Sequence, residues 1–299
     1  SAATPFLLLY FLGPKIANLV PGGATLPQFI NIRYGRKAQI VVSLVAIIYM
    51  SAFLVAEFAS INFLFPSIAE VSGLRIMILV GAFTYAYLKK SGFKASYITD
   101  KFQGIGIILL LIVLFSIWFN QNSFTEIVNY SKLGGLGTFE TFSLKSALAV
   151  ILAVTAAEIF SQGYWQRTFS AKNEKTIKKA SVISAIGAFL TILLIGVAGD
   201  VGAGKGLESP TLSFIGQLDL NLFSSVLLVS LCTLLVASSI DTLENAISST
   251  ISLDLIGKGA KEAQYITLAI ITFAIFAAIY VTNIFSVFLV ADLLATCLV

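Results

Sequence analysis

Polar side chains stand in the middle of one otherwise apolar stretch of the chain. The segment from Leu222 to Ala237 is almost purely apolar, whereas the next eight positions hold two carboxylates, two serines, one threonine and one asparagine. Hydroxyl and carboxylate oxygens are the groups that a hard cation binds. Residues three and four apart share one face of a helix. One such face carries Leu235, Ser238, Asp241, Thr242 and Asn245.

A polar face inside a hydrocarbon span is costly. On translocon scales one mid-helix Asp costs about 2.5–3.5 kcal/mol. Asp241 therefore marks either a site or a paired structural group that faces the protein interior. In the other interpretation, the chain leaves the bilayer near Ala237 and continues as a cytoplasmic amphipathic helix whose polar face is solvated.

The composition is that of a polytopic membrane protein. Hydrophobic residues make up 58% of the chain and charged residues only 11%, whereas soluble globular domains carry about 25% charged residues. Histidine is absent, which removes the commonest general base, proton shuttle and metal ligand. Both cysteines, Cys232 and Cys297, lie in apolar runs and predict neither a disulfide framework nor a metal site.

Nine apolar segments follow one another along the chain, counted at about 20 residues for each membrane span. A proline at position 14 is expected to kink or break the first, and the stretches 120–143 and 199–220 are predicted to be loops. Both ends of the sequence look like cuts through a longer protein. The segments are approximately 3–20, 38–65, 74–88, 97–119, 144–163, 180–198, 222–255, 265–281 and 284–299.

Basic residues are concentrated in every second connection between these segments. The connections after segments one, three, five and seven hold fourteen lysines and arginines, and the opposite connections hold four. Because cytoplasmic loops carry the excess of positive charge, Ser1 is expected outside and the loop around Lys89 in the cytoplasm. This topology accounts for the net charge of +4 without a nucleic-acid partner. It also places Asp100 and Asp241 at similar depth, which favours a shared interior site.

Four short patterns together resemble those of one transporter family. The patterns are Thr25-Leu26-Pro27-Gln28-Phe29 with Arg33-Tyr34-Gly35; Thr99-Asp100 with Gln103; Gln162 with Gln166-Arg167-Thr168 and Ala171-Lys172-Asn173; and Ser238-Ser239-Ile240-Asp241-Thr242 ending in Asp254. In this order and spacing they resemble the sodium:solute symporter family, which includes the sodium-coupled sugar, proline, iodide and sialic acid transporters.

The resemblance implies an all-α membrane protein with a leucine-transporter-type core. That core has ten helices in two inverted repeats of five, and the first helix of each repeat is broken at the bilayer midplane. Residues 1–299 then form a single transmembrane transporter domain. Core helices two to five are expected at about 3–119 and core helices six to ten at about 144–299, while core helix one is missing from the sequence.

The resemblance also implies a sodium site on the seventh segment. Its ligands from this segment are the carbonyl of Leu235 and the hydroxyls of Ser238 and Ser239. In the alternative, the two serines bond the carbonyls of their own helix. A second site that binds sodium or a proton is implied at Asp100, Asp241 and Thr242, although Asp241 stands where other members have serine and a purely structural Asp is equally open.

The substrate pocket is implied less sharply. Ser161, Gln162 and Tyr164 fall where core helix six faces the pocket, and their amide and hydroxyl groups suit a small, polar, hydrogen-bonding solute. A structural role is equally open, because membrane-buried Gln also joins helices to one another. Glu57 and Glu158, both inside apolar segments, have no assigned role.

The function expected from these features is secondary active transport. Uptake of a small polar solute is coupled to the inward sodium gradient by alternating access, with sodium as coupling ion and no further cofactor or metal. The alternative is a symporter-like sensor domain of a larger signalling protein. An enzyme is not expected, because the sequence shows no nucleophile–base arrangement and no metal-ligand spacing.

Overall fold

A computed structural model describes residues 3–69, 71–135, 141–207, 214–257 and 260–297, and the regular elements among them are all helical. Short 3₁₀ turns lie at Glu158–Phe160 and Ile215–Gln217, and the π-helical segment Thr250–Ile256 continues α10. The α-helices are α1 (Thr4–Leu19), α2 (Leu26–Tyr34), α3 (Arg36–Ala69), α4 (Gly73–Ser91), α5 (Phe93–Gln121), α6 (Phe124–Leu133), α7 (Thr141–Ala157), α8 (Gln162–Phe169), α9 (Glu174–Gly204), α10 (Leu222–Ser249), α11 (Ala260–Ile279) and α12 (Ile284–Cys297).

Four helical segments in the described part of the chain are long and apolar enough to cross a membrane. A fifth span is formed if Leu144–Phe160 and Gln162–Phe169, which meet at an angle of 58°, count as one broken helix. Gln264–Ile279 and Ile284–Cys297 are shorter apolar helices. The count of nine spans and the inverted repeat stay predictions, and Ser1 lies outside the described residues. The four long segments are Arg36–Pro66, Phe93–Gln121, Glu174–Gly204 and Leu222–Ile256.

The structure differs from two local expectations. Helix α1 does not break at Pro14 but continues through it, and packing along α9 stabilises the helix despite the missing N–H; the kink expected as the alternative stays a prediction. The predicted loop 120–143 contains α6. Ser123 accepts a hydrogen bond from the Glu126 backbone, and the Glu126 carboxylate accepts one from the Ser123 backbone at 2.8 Å. This capping box stabilises the start of the helix.

Helices α3 and α10 form the centre of the molecule. α3 packs against α10, α11, α12, α2 and α4, while α10 also contacts α5 and α8. Met50, Leu54 and Phe58 of α3 and Ile240 and Ile247 of α10 are completely buried. Polar residues of α10 are held inside the protein because the helix is surrounded on several sides.

Helix α9 lies at the edge of this arrangement. It contacts α1 and α6 and leaves a large apolar surface exposed, as a lipid-facing helix does. Its apolar surface includes Ile183, Ile186, Phe189, Leu190 and Leu193.

Candidate functional site

The Asp241 carboxylate lies at the centre of a hydroxyl cluster between α10, α4 and α5. Its Oδ2 accepts hydrogen bonds from Tyr87 at 2.5 Å and from Thr99 at 3.1 Å. Its Oδ1 accepts from Ser96 at 2.9 Å and from Thr242 at 3.3 Å. Asp241 is completely buried, and all four partners are neutral hydroxyls. The hydrogen-bonding capacity of both oxygens is thereby filled, which offsets the cost of burying the carboxylate.

An ion pair between α5 and α8 adjoins this cluster. The Arg167 Nη2 donates to the Asp100 Oδ2 at 2.5 Å and to the Thr242 hydroxyl at 2.9 Å. The Ser238 hydroxyl donates to the other Asp100 oxygen at 3.2 Å. Thr242 therefore links the two acids, since it accepts from Arg167 and donates to Asp241. The predicted proximity of Asp100, Asp241, Thr242 and Ser238 is found in the structure.

A glycine makes the close approach of α8 to α10 possible. A Cβ atom at Gly163 would lie 2.7 Å from the Thr242 Cγ2, which is too short for a van der Waals contact. The Gly163 carbonyl also accepts a hydrogen bond from the Arg167 Nη1 at 3.0 Å. The arginine is thus held at both guanidinium ends, and its charge is directed toward Asp100.

Two further polar contacts fix the C-terminal half of α10. The Glu244 carboxyl is completely buried and accepts a hydrogen bond from Thr84 of α4 at 3.1 Å. The Asn245 amide donates to Gln166 of α8 at 2.8 Å. Polar residues of this helix therefore contact α4, α5 and α8 inside the protein, which excludes a solvated amphipathic helix for this stretch.

A separate cluster joins α2 and α3 to the π-helical end of α10. The buried Asp254 Oδ1 accepts hydrogen bonds from Thr25 at 3.0 Å and from Gln39 at 3.2 Å. Arg36 donates to the Gln39 amide oxygen at 2.7 Å and to the Leu255 carbonyl at 3.2 Å. This cluster brings Thr25 of the first sequence pattern into contact with Asp254 of the last. It lies apart from Asp100 and Asp241 and has no assigned ligand.

The three residues of the implied sodium site are oriented differently. Ser238 points to Asp100, while the next residue, Ser239, lies beside Glu57 of α3. Adjacent helical residues differ by about 100° around the helix axis, so the two hydroxyls face different neighbours. Leu235 is 38% exposed, and its apolar side chain has no oxygen to offer an ion. Only the backbone carbonyl of Leu235 remains as a candidate ligand.

The substrate-pocket candidates lie at the break between α7 and α8. Ser161 is extended and interrupts the helix, whereas Gln162 is completely buried. The Gln162 amide accepts from the Leu26 backbone at 2.8 Å and donates to the Phe160 carbonyl at 2.9 Å, so it fixes the start of α2. Tyr164 packs edge-on against Phe6, with the ring centroids 5.3 Å apart.

A cavity of about 590 Å³ borders the same helix. Its volume falls in the range of small-molecule sites. Basic and aromatic side chains line it, and Arg167 is shared between the cavity and the ion pair with Asp100. The lining includes Phe6, Tyr97, Tyr164, Arg167, Lys172 and Ser184.

The sequence alone does not mark several residues of the network as parts of a site. The charge pattern places Arg167 in a basic cytoplasmic connection, together with the lysines that follow it. Tyr87 and Ser96 lie near segment ends, where polar residues are ordinary. The one indication for Arg167 is its place in the Gln166-Arg167-Thr168 pattern, which names no partner for its side chain.

Comparison with known proteins supports transport. No model of a protein family matches the chain. The chain is 27% identical, over 312 residues, to the protein described as "Spermidine transporter DUR31" of Candida albicans, and the match covers 99% of this chain. It covers 58% of the curated relative, so the chain spans a little over half of that protein's length. This similarity and the membrane-capable helices together support an integral membrane protein with a transport function.

Proposed function

We propose that the chain contains most of the core of a secondary active transporter of the sodium:solute symporter type. In this proposal, nine segments form a leucine-transporter-type core with inverted repeats, and a small solute crosses the membrane by alternating access. The observation that carries the proposal is a hydrogen-bonded network in the protein interior. Its members are Asp100, Arg167, Ser238, Asp241 and Thr242. It joins α5, α8 and α10 beside a broken helix, which is the arrangement that transporters use for ions and solutes.

Sodium is the proposed coupling ion. It binds the Leu235 carbonyl and the hydroxyls of Ser238 and Ser239, because a hard cation of this kind takes oxygen ligands. In the described conformation Ser238 donates to Asp100. Sodium binding therefore requires the Ser238 hydroxyl to turn its lone pairs from Asp100 toward the ion, so ion binding and the contact between α5 and α10 are coupled.

Asp100, Asp241 and Thr242 form the proposed second cation or proton site. Arg167 already neutralises Asp100 and contacts Thr242. A second sodium or a proton must then compete with the guanidinium for the Asp100 carboxylate. Such competition would link the state of the site to the position of α8, which carries Arg167 and follows the helix break.

The first solute to test is spermidine, because the curated relative is described as a spermidine transporter. Ser161 and Tyr164 are the proposed pocket residues at the helix break, while Gln162 is proposed to position α2 through its two backbone hydrogen bonds. A neutral polar solute suits the hydroxyls of Ser161 and Tyr164 equally, so the panel of solutes includes both kinds.

Uptake by the full-length protein in vesicles tests the proposal. Radiolabelled spermidine and neutral polar solutes are offered with an inward sodium gradient, an inward proton gradient, or potassium on both sides. The expected result is accumulation of at least one solute that requires sodium. Accumulation that is equal with potassium on both sides, or that requires only the proton gradient, would exclude sodium coupling. If no solute accumulates, the proposed transport function itself is excluded.

A further inference from the structure

Two carboxyl groups from separate helical elements lie close together in a region that the network around Asp100 does not include. Glu158 lies on the 3₁₀ turn that ends α7, and Asp292 lies on α12. The two carboxyls are close enough to interact electrostatically. The Thr296 hydroxyl donates to the Ala153 carbonyl at 3.1 Å, so α12 is fixed against α7 next to the pair.

This acidic pair has no cationic partner in the described part of the chain. The ion pairs found there join Arg167 to Asp100 and Lys178 to Glu174. Two neighbouring carboxylates in a membrane interior repel each other and lose their hydration, so a bound proton or a cation is needed to neutralise them. Among the described residues, lysine or arginine pairs with Asp100 and Glu174 but not with Glu158 or Asp292.

A buried tyrosine points at the same place. The Tyr49 side chain of α3 is 3% exposed, and its hydroxyl lies beside both carboxyls. Nevertheless, that hydroxyl makes no hydrogen bond of normal geometry to any described residue, and neither does the buried Oδ1 of Asp292. Buried polar atoms are nearly always hydrogen-bonded, and these two oxygens, which lie near each other, can each accept a hydrogen bond from a further polar group.

Aromatic rings extend from this point along α3 and α12. Tyr49 lies 4.7 Å from Phe53, and Phe53 lies 4.8 Å from Phe288, measured between ring centroids. Phe288 precedes Asp292 by one helical turn, so both lie on one face of α12. Aromatic faces beside carboxylates are the surroundings in which alkylammonium ions are recognised, through cation–π attraction and contact with the methylene groups.

We propose that Glu158, Asp292 and Tyr49 bind a primary ammonium group of an aliphatic di- or polyamine. This inference rests on the proposed transport function and assigns its substrate class. An ammonium group has three N–H donors and no acceptor, which matches two carboxylates and one phenolic oxygen. The alkyl chain of the amine lies against Phe53 and Phe288.

Access to the site requires helix movement. The cavity that borders Glu158 measures about 10 Å³, which is about the space of one water molecule. Ser161, the residue at the helix break, also lies next to the Glu158 carboxyl. Opening at this break would expose Glu158 to an incoming amine, and closing would surround the ammonium group with protein.

Equilibrium binding tests the site directly. Radiolabelled putrescine and spermidine are bound to the purified full-length protein in lipid nanodiscs, for the wild type and for the variants Glu158→Gln, Asp292→Asn and Tyr49→Phe. Each carboxamide variant is expected to raise Kd about tenfold or more, as for loss of a hydrogen bond to a charged group. Tyr49→Phe is expected to raise Kd about two- to tenfold.

The control variant is Glu262→Gln, which removes a carboxylate from an exposed position in the first turn of α11 and is expected to leave Kd unchanged. Asp292→Glu keeps the charge and is expected to bind more tightly than Asp292→Asn, which separates loss of charge from misfolding. 1,4-Butanediol, the neutral analogue of putrescine, is expected not to compete.

Three outcomes would overturn the inference. They are a wild type that binds neither amine, folded carboxamide variants that bind as tightly as the wild type, and competition by butanediol equal to that by unlabelled putrescine. Sodium-driven uptake of a neutral solute, measured on the same preparations, separates the two proposals. If that uptake persists while amines do not bind, transport stands and the ammonium site fails.

Discussion

Ser239 is either a sodium ligand or a hydroxyl that only packs α10 against α3, and a substitution at this position distinguishes the two roles. It lies beside Glu57 of α3, and its neighbour Ser238 is hydrogen-bonded to Asp100. If both hydroxyls bind sodium, Ser239→Ala removes one oxygen ligand from the ion. We expect the sodium concentration for half-maximal uptake to rise about tenfold or more, the effect of losing one hydrogen bond to a charged group.

The matched control for Ser239→Ala is Ser230→Ala on the same helix. Ser230 is exposed and donates to the Val226 carbonyl of its own helix at 2.8 Å, so its loss should leave sodium dependence unchanged. The measurement is initial uptake rate against sodium concentration. Equal sodium dependence in the wild type and in Ser239→Ala would exclude Ser239 as a ligand.

The ion pair between Asp100 and Arg167 makes a second prediction at the level of single residues. Both side chains are partly exposed, by 20% and 36% respectively, so the pair is expected to be stronger than a surface pair and weaker than a fully buried one. Asp100→Asn and Arg167→Gln should each lower the free energy of unfolding by about 1–2 kcal/mol.

The double variant with both changes tests whether the two residues act as a pair. It should lose less stability than the sum of the single variants, because each single change leaves the opposite charge without its partner. Thermal unfolding of the purified protein measures all four forms. Strict additivity would mean that the pair contributes nothing to stability.

At the level of elements, the contact between α8 and α10 depends on one glycine. A methyl group at position 163 would lie 2.7 Å from the Thr242 Cγ2, so Gly163→Ala is expected to separate the two helices. The overpacking should cost about 1–3 kcal/mol of stability and reduce uptake, because Arg167 moves away from Asp100. Thermal unfolding and uptake rate are the two measurements.

A rescue variant and a control accompany this change. Thr242→Ser removes the clashing Cγ2 but keeps the hydroxyl, so Gly163→Ala with Thr242→Ser should recover most of the stability. Gly187→Ala lies on the exposed helix α9, where a Cβ atom would meet nothing within 4 Å, and is expected to be neutral or slightly stabilising because alanine favours helix. If Gly163→Ala behaves like Gly187→Ala, the close approach is not needed.

The helix break lies between Leu144–Phe160 and Gln162–Phe169, which meet at an angle of 58°, in the stretch that the resemblance assigns to core helix six. The pocket role of Gln162 and Tyr164 stays a prediction. For Gln162 the sequence leaves a pocket role and a structural role open. Its amide is used by the backbone of Leu26 and Phe160, which is a structural role that only contacts between distant segments reveal.

At the level of the whole molecule, the distribution of basic residues predicts the orientation in the membrane. A cysteine introduced at Lys90, in the exposed last turn of α4, should react with a membrane-impermeant thiol reagent only from the cytoplasmic side. A cysteine at Phe124, which is 81% exposed at the start of α6, should react only from the outside. Labelling of intact cells and of inside-out vesicles measures both.

The two native cysteines must not react with the thiol reagent in this experiment. Cys232 is buried, whereas Cys297 is exposed and is replaced by serine in all labelling variants. Reaction of both introduced cysteines from the same side would contradict the predicted topology, and with it the expectation that Ser1 lies outside.

The sequence by itself determined that this is a helical membrane protein and the approximate positions of most helices. It favoured an inward-facing Asp241 but left a solvated face as the alternative. These are properties of local hydrophobicity and helical periodicity, which each segment carries on its own. The tertiary structure decided which polar groups meet. Arg167 pairs with Asp100 across 67 positions, and Glu158 meets Asp292 and Tyr49 from three helices. A sequence shows the sign of each charged side chain but not the residue with which it pairs, because the pairing depends on how the helices pack.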